Sequence, residues 1–148
     1  MALVGFLVLS FAAAALGGAF PPGEWYGSLT KPSWNPPGWI FGPVWTALYA
    51  MIGTSAWLVW RSDSPSMRTA LAIWAVQLAL NAAWSPIFFG SQKLGIALGV
   101  ITVMWLAILA TVLVFWPIHR TAALLLVPYL CWVGFATVLN ATLWRMNS

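Results

Sequence analysis

Long apolar runs dominate this sequence, and single charged residues separate them. The runs cover residues 2–20, 43–60, 69–89, 94–116 and 121–144. A helix needs about 20 apolar residues to cross the ~30 Å hydrocarbon core of a bilayer. Apolar positions are continuous rather than alternating, and an open sheet cannot span lipid. The pattern predicts an all-α membrane protein, with residues 1–148 forming one domain built as a five-transmembrane-helix bundle.

Composition supports a membrane protein and excludes several other classes. Charged residues make up 5% of the 148 residues and hydrophobic residues 62%, whereas a soluble domain carries about 25% charge. The basic residues are scattered singly, so we expect no nucleic-acid partner. One cysteine, Cys131, excludes a disulfide framework and a multi-cysteine metal site. The lipid bilayer is therefore the expected environment.

The first apolar run has two interpretations. Gly17, Gly18 and Ala19 resemble a small-residue cleavage site of a signal peptide. No Lys or Arg precedes the run, however, and its length exceeds that of a signal h-region. We expect a retained helix.

The charges leave the orientation of the bundle open. With five spans, three basic residues fall at each end: Arg61, Arg68 and Arg120 at one, Lys31, Lys93 and Arg145 at the other. The positive-inside rule depends on an excess at one end.

The connection over residues 21–42, called the first loop here, is unlike a flexible linker. Linkers are rich in Gly and Ser, whereas this loop holds five prolines and the aromatic residues Trp25, Tyr26, Trp34, Trp39 and Phe41. Proline restricts the conformations of a loop. The aromatic residues fit an aromatic belt at headgroup depth or a lid folded over the bundle mouth.

Three predicted helices each carry aromatic and amide side chains on one face. These are Trp45, Tyr49 and Ile52; Gln77, Asn81, Trp84 and Phe88; and Tyr129, Trp132, Ala136 and Asn140. Amides are costly in hydrocarbon, so we expect all three to face inward. Such faces fit interhelical hydrogen bonds within a packed core or the wall of a cavity for a flat apolar ligand. The residues alone leave both interpretations open.

Prolines and glycines predict local features of the bundle. Pro86 predicts a kink or the end of the segment over residues 69–89, and Pro128 a break near the start of the last segment. Both are places where a pocket could open. Gly95 and Gly99 form a GxxxG pattern that suits packing within the chain or a dimer contact.

Most catalytic and metal-binding chemistry is missing. Glu24 and Asp63 fall in loops at opposite ends, so they cannot form a carboxylate pair. His119, the sole histidine, lies beside Arg120 in a short loop and is poorly placed as a haem ligand. No predicted span contains a charged residue, which disfavours ion-coupled transport. We expect no metal site and no obligatory cofactor.

Four strings resemble the TspO/MBR family of tryptophan-rich sensory proteins and mitochondrial translocator proteins, also called peripheral-type benzodiazepine receptors. They are WYGSLTKPSWNPPGWIFGPVWTALY, then NAAWSPIFFG, then PYLCW with FATVLN. Their order matches the family and they span most of the chain. The resemblance implies five transmembrane helices, a homodimer, and a multi-pass protein of a bacterial membrane. It also implies a cavity for porphyrins such as protoporphyrin IX, and in some members for sterols.

Site residues follow from the resemblance position by position. Trp45, Tyr49, Asn81, Trp84, Tyr129, Trp132 and Ala136 fall on positions similar to the family's ligand pocket, and Trp34 on its capping loop. The resemblance therefore implies that the first loop, rich in Trp and Pro, acts as a lid. A sterol-contact pattern would use Tyr129, but residues 130–134 contain no Lys or Arg, which lowers the expectation of tight sterol binding while sterol stays a candidate partner.

Three functions remain open on the sequence. The first is a membrane receptor or sensor that binds tetrapyrroles, and the second is a translocator of such ligands. The third is an enzyme that degrades porphyrin with light and oxygen, for which Trp45 and Trp132 would supply oxidisable indoles. Because no catalytic group is identified otherwise, we expect binding rather than catalysis.

Overall fold

All regular secondary structure in residues 1–20 and 22–148, which the computed structural model describes, is helical. The α-helices are α1 (Ala2–Gly18), α2 (Glu24–Ser28), α3 (Phe41–Trp60), α4 (Met67–Ser85), α5 (Leu94–Phe115), α6 (Arg120–Leu125) and α7 (Val127–Met146). A 3-10 turn, Gly38–Ile40, precedes α3, and a π-helical turn, Pro86–Gly90, follows α4. The prediction of an all-α protein is confirmed.

Three helical segments are long and apolar enough to cross a membrane by length and composition. They are Met67–Gly90, Leu94–Phe115 and Arg120–Met146. Ala2–Gly18 is a shorter apolar helix. α3 has 20 residues, none of them charged.

Proline explains where two predicted helices are interrupted. The segment predicted over 69–89 is α-helical only to Ser85, and Pro86 begins the π turn, in which the Ser91 amide donates to the Pro86 carbonyl at 2.8 Å. The segment predicted over 121–144 is divided at Leu126, two residues before Pro128. A proline has no amide hydrogen and its ring clashes with the carbonyl four residues earlier, so a continuous ladder is lost at both places.

The first loop contains helix that the sequence pattern did not predict. α2 places Trp25 and Tyr26 against Phe88 of the π turn, with ring centroids 5.9 and 6.2 Å apart, and Tyr26 also meets Phe89 at 5.5 Å. Aromatic pairs in such edge-on arrangements stabilise a contact beyond the burial of area. The loop is therefore packed on the end of α4; its first residue, Pro21, lies outside the described residues.

Glycines permit two close helix contacts. α1 packs along α3 at Gly53, where a Cβ atom would lie 2.9 Å from the Leu7 side chain and 3.1 Å from the Phe6 carbonyl oxygen. α5 packs along α7 at Gly95, where a Cβ would lie 3.2 Å from the Trp144 indole. Gly95 thus serves packing within the chain.

Candidate functional site

A cavity of about 640 Å³ lies among α1, α3, α4 with its π turn, α5, α7 and the first loop. Its aromatic lining residues are Phe11, Phe20, Tyr26, Phe41, Trp45, Tyr49, Trp84, Phe88, Phe89 and Trp132. Its amide and hydroxyl lining residues other than Tyr are Asn35, Thr46, Asn81, Ser85 and Asn140. Within the described part of the chain, no Asp, Glu, Lys, Arg or His lines this cavity. The wall is thus apolar and aromatic, with a few neutral polar groups.

The structure brings most of the predicted site residues to this one cavity. Those that line it are Trp45, Tyr49, Asn81, Trp84, Trp132 and Ala136. Tyr129 and Trp34 lie outside the lining. The six residues that line the cavity come from α3, α4 and α7, the helices for which the sequence pattern predicted inward aromatic and polar faces.

α3 supplies one aromatic wall. Trp45 and Tyr49 lie one helical turn apart, and their rings are 5.4 Å apart between centroids with planes tilted by 31°. Trp45 also meets the Tyr129 ring edge-on at 6.3 Å. The Trp45 indole is held by two aromatic neighbours, so its face has a defined direction in the cavity wall.

A chain of buried hydrogen bonds joins α3, α4 and α7 beside this wall. The Tyr49 hydroxyl donates to Asn81 Oδ1 at 2.6 Å, and Asn81 Nδ2 donates to the Tyr129 hydroxyl at 2.8 Å. The Tyr129 hydroxyl in turn donates to Gln77 Oε1 at 2.8 Å. Asn81 lines the cavity, whereas Tyr129 is fully buried one layer behind it. The chain fixes the orientation of the Asn81 amide.

A second amide fixes the Trp84 indole. Asn140 Oδ1 accepts from Trp84 Nε1 at 3.1 Å, and Asn140 Nδ2 donates to the Leu94 carbonyl at 3.0 Å. The Trp84 ring packs on Phe88 with 4.7 Å between centroids. Gln77, Asn81 and Asn140 are all buried, which confirms the predicted inward direction of the three amides. They act as interhelical links, and two of them also line the cavity.

Trp132 forms the third indole wall. Its ring packs against Phe41 at 5.8 Å and Phe135 at 5.7 Å. The Nε1 atom is buried and has no hydrogen-bond partner among the described residues. An indole N–H is a donor only, so this atom can serve an acceptor on a bound molecule.

Trp34 reaches the cavity wall indirectly. Its ring is 44% exposed and meets Phe135 edge-on at 5.7 Å, and Phe135 packs on Trp132. The loop residues that do line the cavity are Pro22, Tyr26, Asn35, Pro36, Gly38 and Phe41. Trp34 therefore lies on the outer side of an aromatic stack.

Comparison with known proteins agrees with this architecture. The model of the TspO/MBR family matches residues 6–145. The chain belongs to the TspO/MBR family. The resemblance identified from the sequence motifs is thereby confirmed, and family membership with the apolar helices makes this chain a membrane protein.

Several curated relatives match the TspO/MBR chain over nearly its whole length. It is 41% identical over 144 residues to protein CrtK of Rhodobacter capsulatus, covering 96% of this chain and 90% of that protein. It is 42% identical over 142 residues to a tryptophan-rich sensory protein of Cereibacter sphaeroides, covering 96% and 89%. Human translocator protein is 41% identical over 150 residues, covering 97% and 89%.

Sequence reasoning did not identify every residue that lines the cavity of this TspO/MBR protein. Phe11, Ala14, Gly17 and Gly18 of α1 line it. α1 contains one polar residue, Ser10, so no polar stripe marks an inward face. Phe89 and Tyr26 also line it. In the sequence, the Phe88–Phe89 pair shortly after Pro86 could have indicated Phe89, and the high aromatic content of the first loop could have indicated Tyr26.

Two reactive side chains of the TspO/MBR chain lie elsewhere. His119 precedes α6, and its Nδ1 accepts from the Ala122 amide at 3.2 Å, which caps the helix. Cys131 is exposed on α7. Neither lines the cavity.

Proposed function

We propose that this TspO/MBR protein is an integral membrane receptor or sensor that binds flat hydrophobic ligands of the tetrapyrrole type, such as protoporphyrin IX. The observation that carries the proposal is that Trp45, Trp84 and Trp132, from three helices, line one cavity. Its volume of about 640 Å³ falls within the range of about 300–1,000 Å³ usual for small-molecule sites. Relatives named sensory protein and translocator protein support this class of function.

The proposed arrangement in the membrane has five spans. They are α1, α3, α4 with its π turn, α5, and α6 with α7. α3 is uncharged over 20 residues, which is enough for a ~30 Å core. α1 has 17 residues and is about 25 Å long at 1.5 Å per residue, a shortfall that local thinning of the bilayer accommodates.

Binding on this proposal uses stacking and a few hydrogen bonds. The indoles offer aromatic faces to a planar macrocycle. Trp132 Nε1 and the Asn81 amide offer polar contacts at its edge or substituents. No bond to a central metal is required, so a metal-free porphyrin is a suitable ligand.

The first loop is proposed to act as a lid. Tyr26, Asn35, Pro36 and Gly38 line the cavity, and the packing of α2 on Phe88 holds the loop near the end of α4. A ligand in the cavity would add its own contacts with these loop residues and would thereby stabilise the loop in its closed position. A belt at headgroup depth, the alternative interpretation, would not respond to ligand.

The homodimer implied by the family is also proposed. A shallow hollow on the outside of α1 and α4 is lined in part by Ala12, Ala75, Ala79 and Ala82. Small residues let helices of two copies approach closely in lipid. Cross-linking in native membranes measures whether pairs form.

Fluorescence of the purified protein in detergent tests ligand binding directly. Protoporphyrin IX should quench the emission of the 12 tryptophans saturably, with half-saturation at low-micromolar concentration, because three of the indoles line the cavity. An unrelated tryptophan-rich membrane protein is the control. Linear quenching equal to that of the control would contradict the proposal.

A light-dependent reaction is the second candidate. It is favoured by the presence of two oxidisable indoles, Trp45 and Trp132, in one cavity wall. Illumination of the aerobic complex should then convert porphyrin into a defined open-chain product, and Trp45→Phe with Trp132→Phe should abolish it. Unspecific bleaching at the rate of free porphyrin would leave binding as the function, and uptake by reconstituted vesicles would distinguish translocation.

A further inference from the structure

The described residues of the cavity wall carry no charge that could meet an anionic substituent. Among the described residues that line it, the polar groups are amides, hydroxyls and indole N–H groups. Burying an ionised carboxylate without a charged partner is costly. A tetrapyrrole with carboxylate side chains would therefore keep them outside this wall, at the rim of the cavity.

Lys31 is half-buried and lies against one ring of this wall. Its Nζ atom is 4.7 Å from the centroid of the Tyr26 ring, which lines the cavity. The same atom donates to the carbonyl oxygens of Leu29 at 3.2 Å and Gly27 at 3.4 Å. In the described part of the chain, no carboxylate oxygen lies within hydrogen-bonding distance of this ammonium group. An ammonium group has three donors, so a further acceptor can bind.

The position of Lys31 is fixed from both sides. The backbone of the preceding residue, Thr30, is hydrogen-bonded to the Asn147 side chain at the end of α7. The side chain lies over the Tyr26 ring, which is itself packed on Phe88 and Phe89. The Lys31 side chain therefore loses less conformational entropy on binding a ligand group than a fully mobile lysine would.

Other basic residues are placed differently. Lys93 is exposed next to the start of α5. Arg61 and Arg120 stack on Trp57 and Trp116, which are outside the cavity lining. Lys31 combines a positive charge with direct contact to a ring of the cavity wall.

We propose that Lys31 forms an anion subsite at the cavity rim that receives a carboxylate of the bound ligand. The subsite makes the protein prefer flat ligands that carry a carboxylate over neutral ones of the same shape. This inference rests on the proposed porphyrin-binding function. It assigns Lys31 to ligand selectivity, whereas the indoles of the wall accept both kinds of ligand.

The test compares protoporphyrin IX with its dimethyl ester, which has the same ring without the carboxylates. Dissociation constants are measured for the wild type, Lys31→Met, Lys31→Arg and the matched control Lys93→Met. Partly exposed ion pairs change affinity by about fivefold at most. We expect Lys31→Met to weaken protoporphyrin IX binding by about threefold to fivefold, with unchanged ester binding. Lys31→Arg and Lys93→Met should bind both ligands like the wild type.

Salt provides an independent measurement. At about 1 M ionic strength the screening length is ~3 Å, so the wild type should lose its preference for the free acid over the ester. Lys31→Met should show little change with salt. Ester binding should depend weakly on salt in every variant.

Each other outcome has a distinct meaning. If Lys31→Met weakens both ligands equally, Lys31 supports the loop and the carboxylate subsite is wrong. If Lys31→Met binds protoporphyrin IX like the wild type, the subsite is also wrong, but the porphyrin-binding function stands. If neither ligand binds the wild type saturably, the proposed function fails and the subsite with it.

Discussion

The side-chain amide of Asn147 pairs with both backbone polar groups of Thr30, 117 residues earlier in the chain. The Thr30 amide donates to Asn147 Oδ1 at 2.9 Å, and Asn147 Nδ2 donates to the Thr30 carbonyl at 2.9 Å. One side chain thus reproduces the hydrogen bonding of a neighbouring strand. The pair ties the middle of the first loop to the end of α7.

Removing this pair should loosen the loop. Two hydrogen bonds contribute about 1–3 kcal/mol together, so Asn147→Ala should speed amide exchange around Thr30 by about fivefold or more. Hydrogen exchange read by mass spectrometry measures it. Thr142→Ala is the control, because the Thr142 hydroxyl bonds only within α7, to the Val138 carbonyl. Equal exchange in the two variants would mean that the pair does not hold the loop.

Ligand should protect the loop if it acts as a lid. We expect slower exchange over residues 25–39 at saturating protoporphyrin IX. Trp34→Ala should mainly speed ligand dissociation, as changes at binding sites usually do, because it removes the outer ring of the stack on Phe135 and Trp132. If the ligand does not change hydrogen exchange over residues 25–39, the loop is better explained as an aromatic belt, and Trp34 is not part of the ligand site.

Asn81 should matter more for stability than the Tyr49 hydroxyl, which makes a single side-chain hydrogen bond. It bonds both Tyr49 and Tyr129, and hydrogen bonds between membrane helices contribute about 1 kcal/mol each. Asn81→Leu should therefore destabilise the protein by about 2 kcal/mol, and Tyr49→Phe by about 1 kcal/mol. Thermal unfolding in detergent, without ligand, compares them. A larger loss for Tyr49→Phe would contradict the central place of Asn81.

Trp132 should contribute to ligand affinity and Trp116 should not. Trp132 lines the cavity, whereas Trp116 follows α5, is 44% exposed and carries Arg120 on its ring. Stacking on one aromatic ring is worth about 0.5–1.5 kcal/mol beyond burial, so Trp132→Ala should weaken binding severalfold. Trp116→Ala is the matched control. Equal effects in a fluorescence titration would indicate that the pocket lies elsewhere.

Added volume at Ala136 should change binding without unfolding the protein. Ala136 lies one turn beyond Trp132 and lines the cavity. Ala136→Thr places new atoms at the cavity wall, and a Thr hydroxyl in a helix can bond to a carbonyl of the preceding turn. Val138→Thr is the control, because Val138 lies on the same helix and is 58% exposed. Wild-type affinity in Ala136→Thr would remove this face from the ligand site.

The sequence by itself determined the helical class and the inward direction of the amides. Gln77, Asn81 and Asn140 are buried as predicted, because helical periodicity and the cost of an unpaired amide are local properties of a segment. The end of α4 at Pro86 followed from proline geometry for the same reason. The family resemblance could also be recognised from the sequence, since each of its motifs is a continuous stretch of residues.

Tertiary structure decided which inward residues reach the cavity. Tyr129 and Asn81 share the inward side of the bundle, yet Tyr129 is packed one layer behind Asn81, because helix rotation and neighbours set that depth. α1 carries no stripe, so only its packing beside α3 brings Phe11 to the wall. The contact of Lys31 with Tyr26 and the pairing of Asn147 with Thr30 likewise depend on where the first loop folds. A one-dimensional pattern records what each segment must bury, whereas the partner it meets depends on the packing of the whole chain.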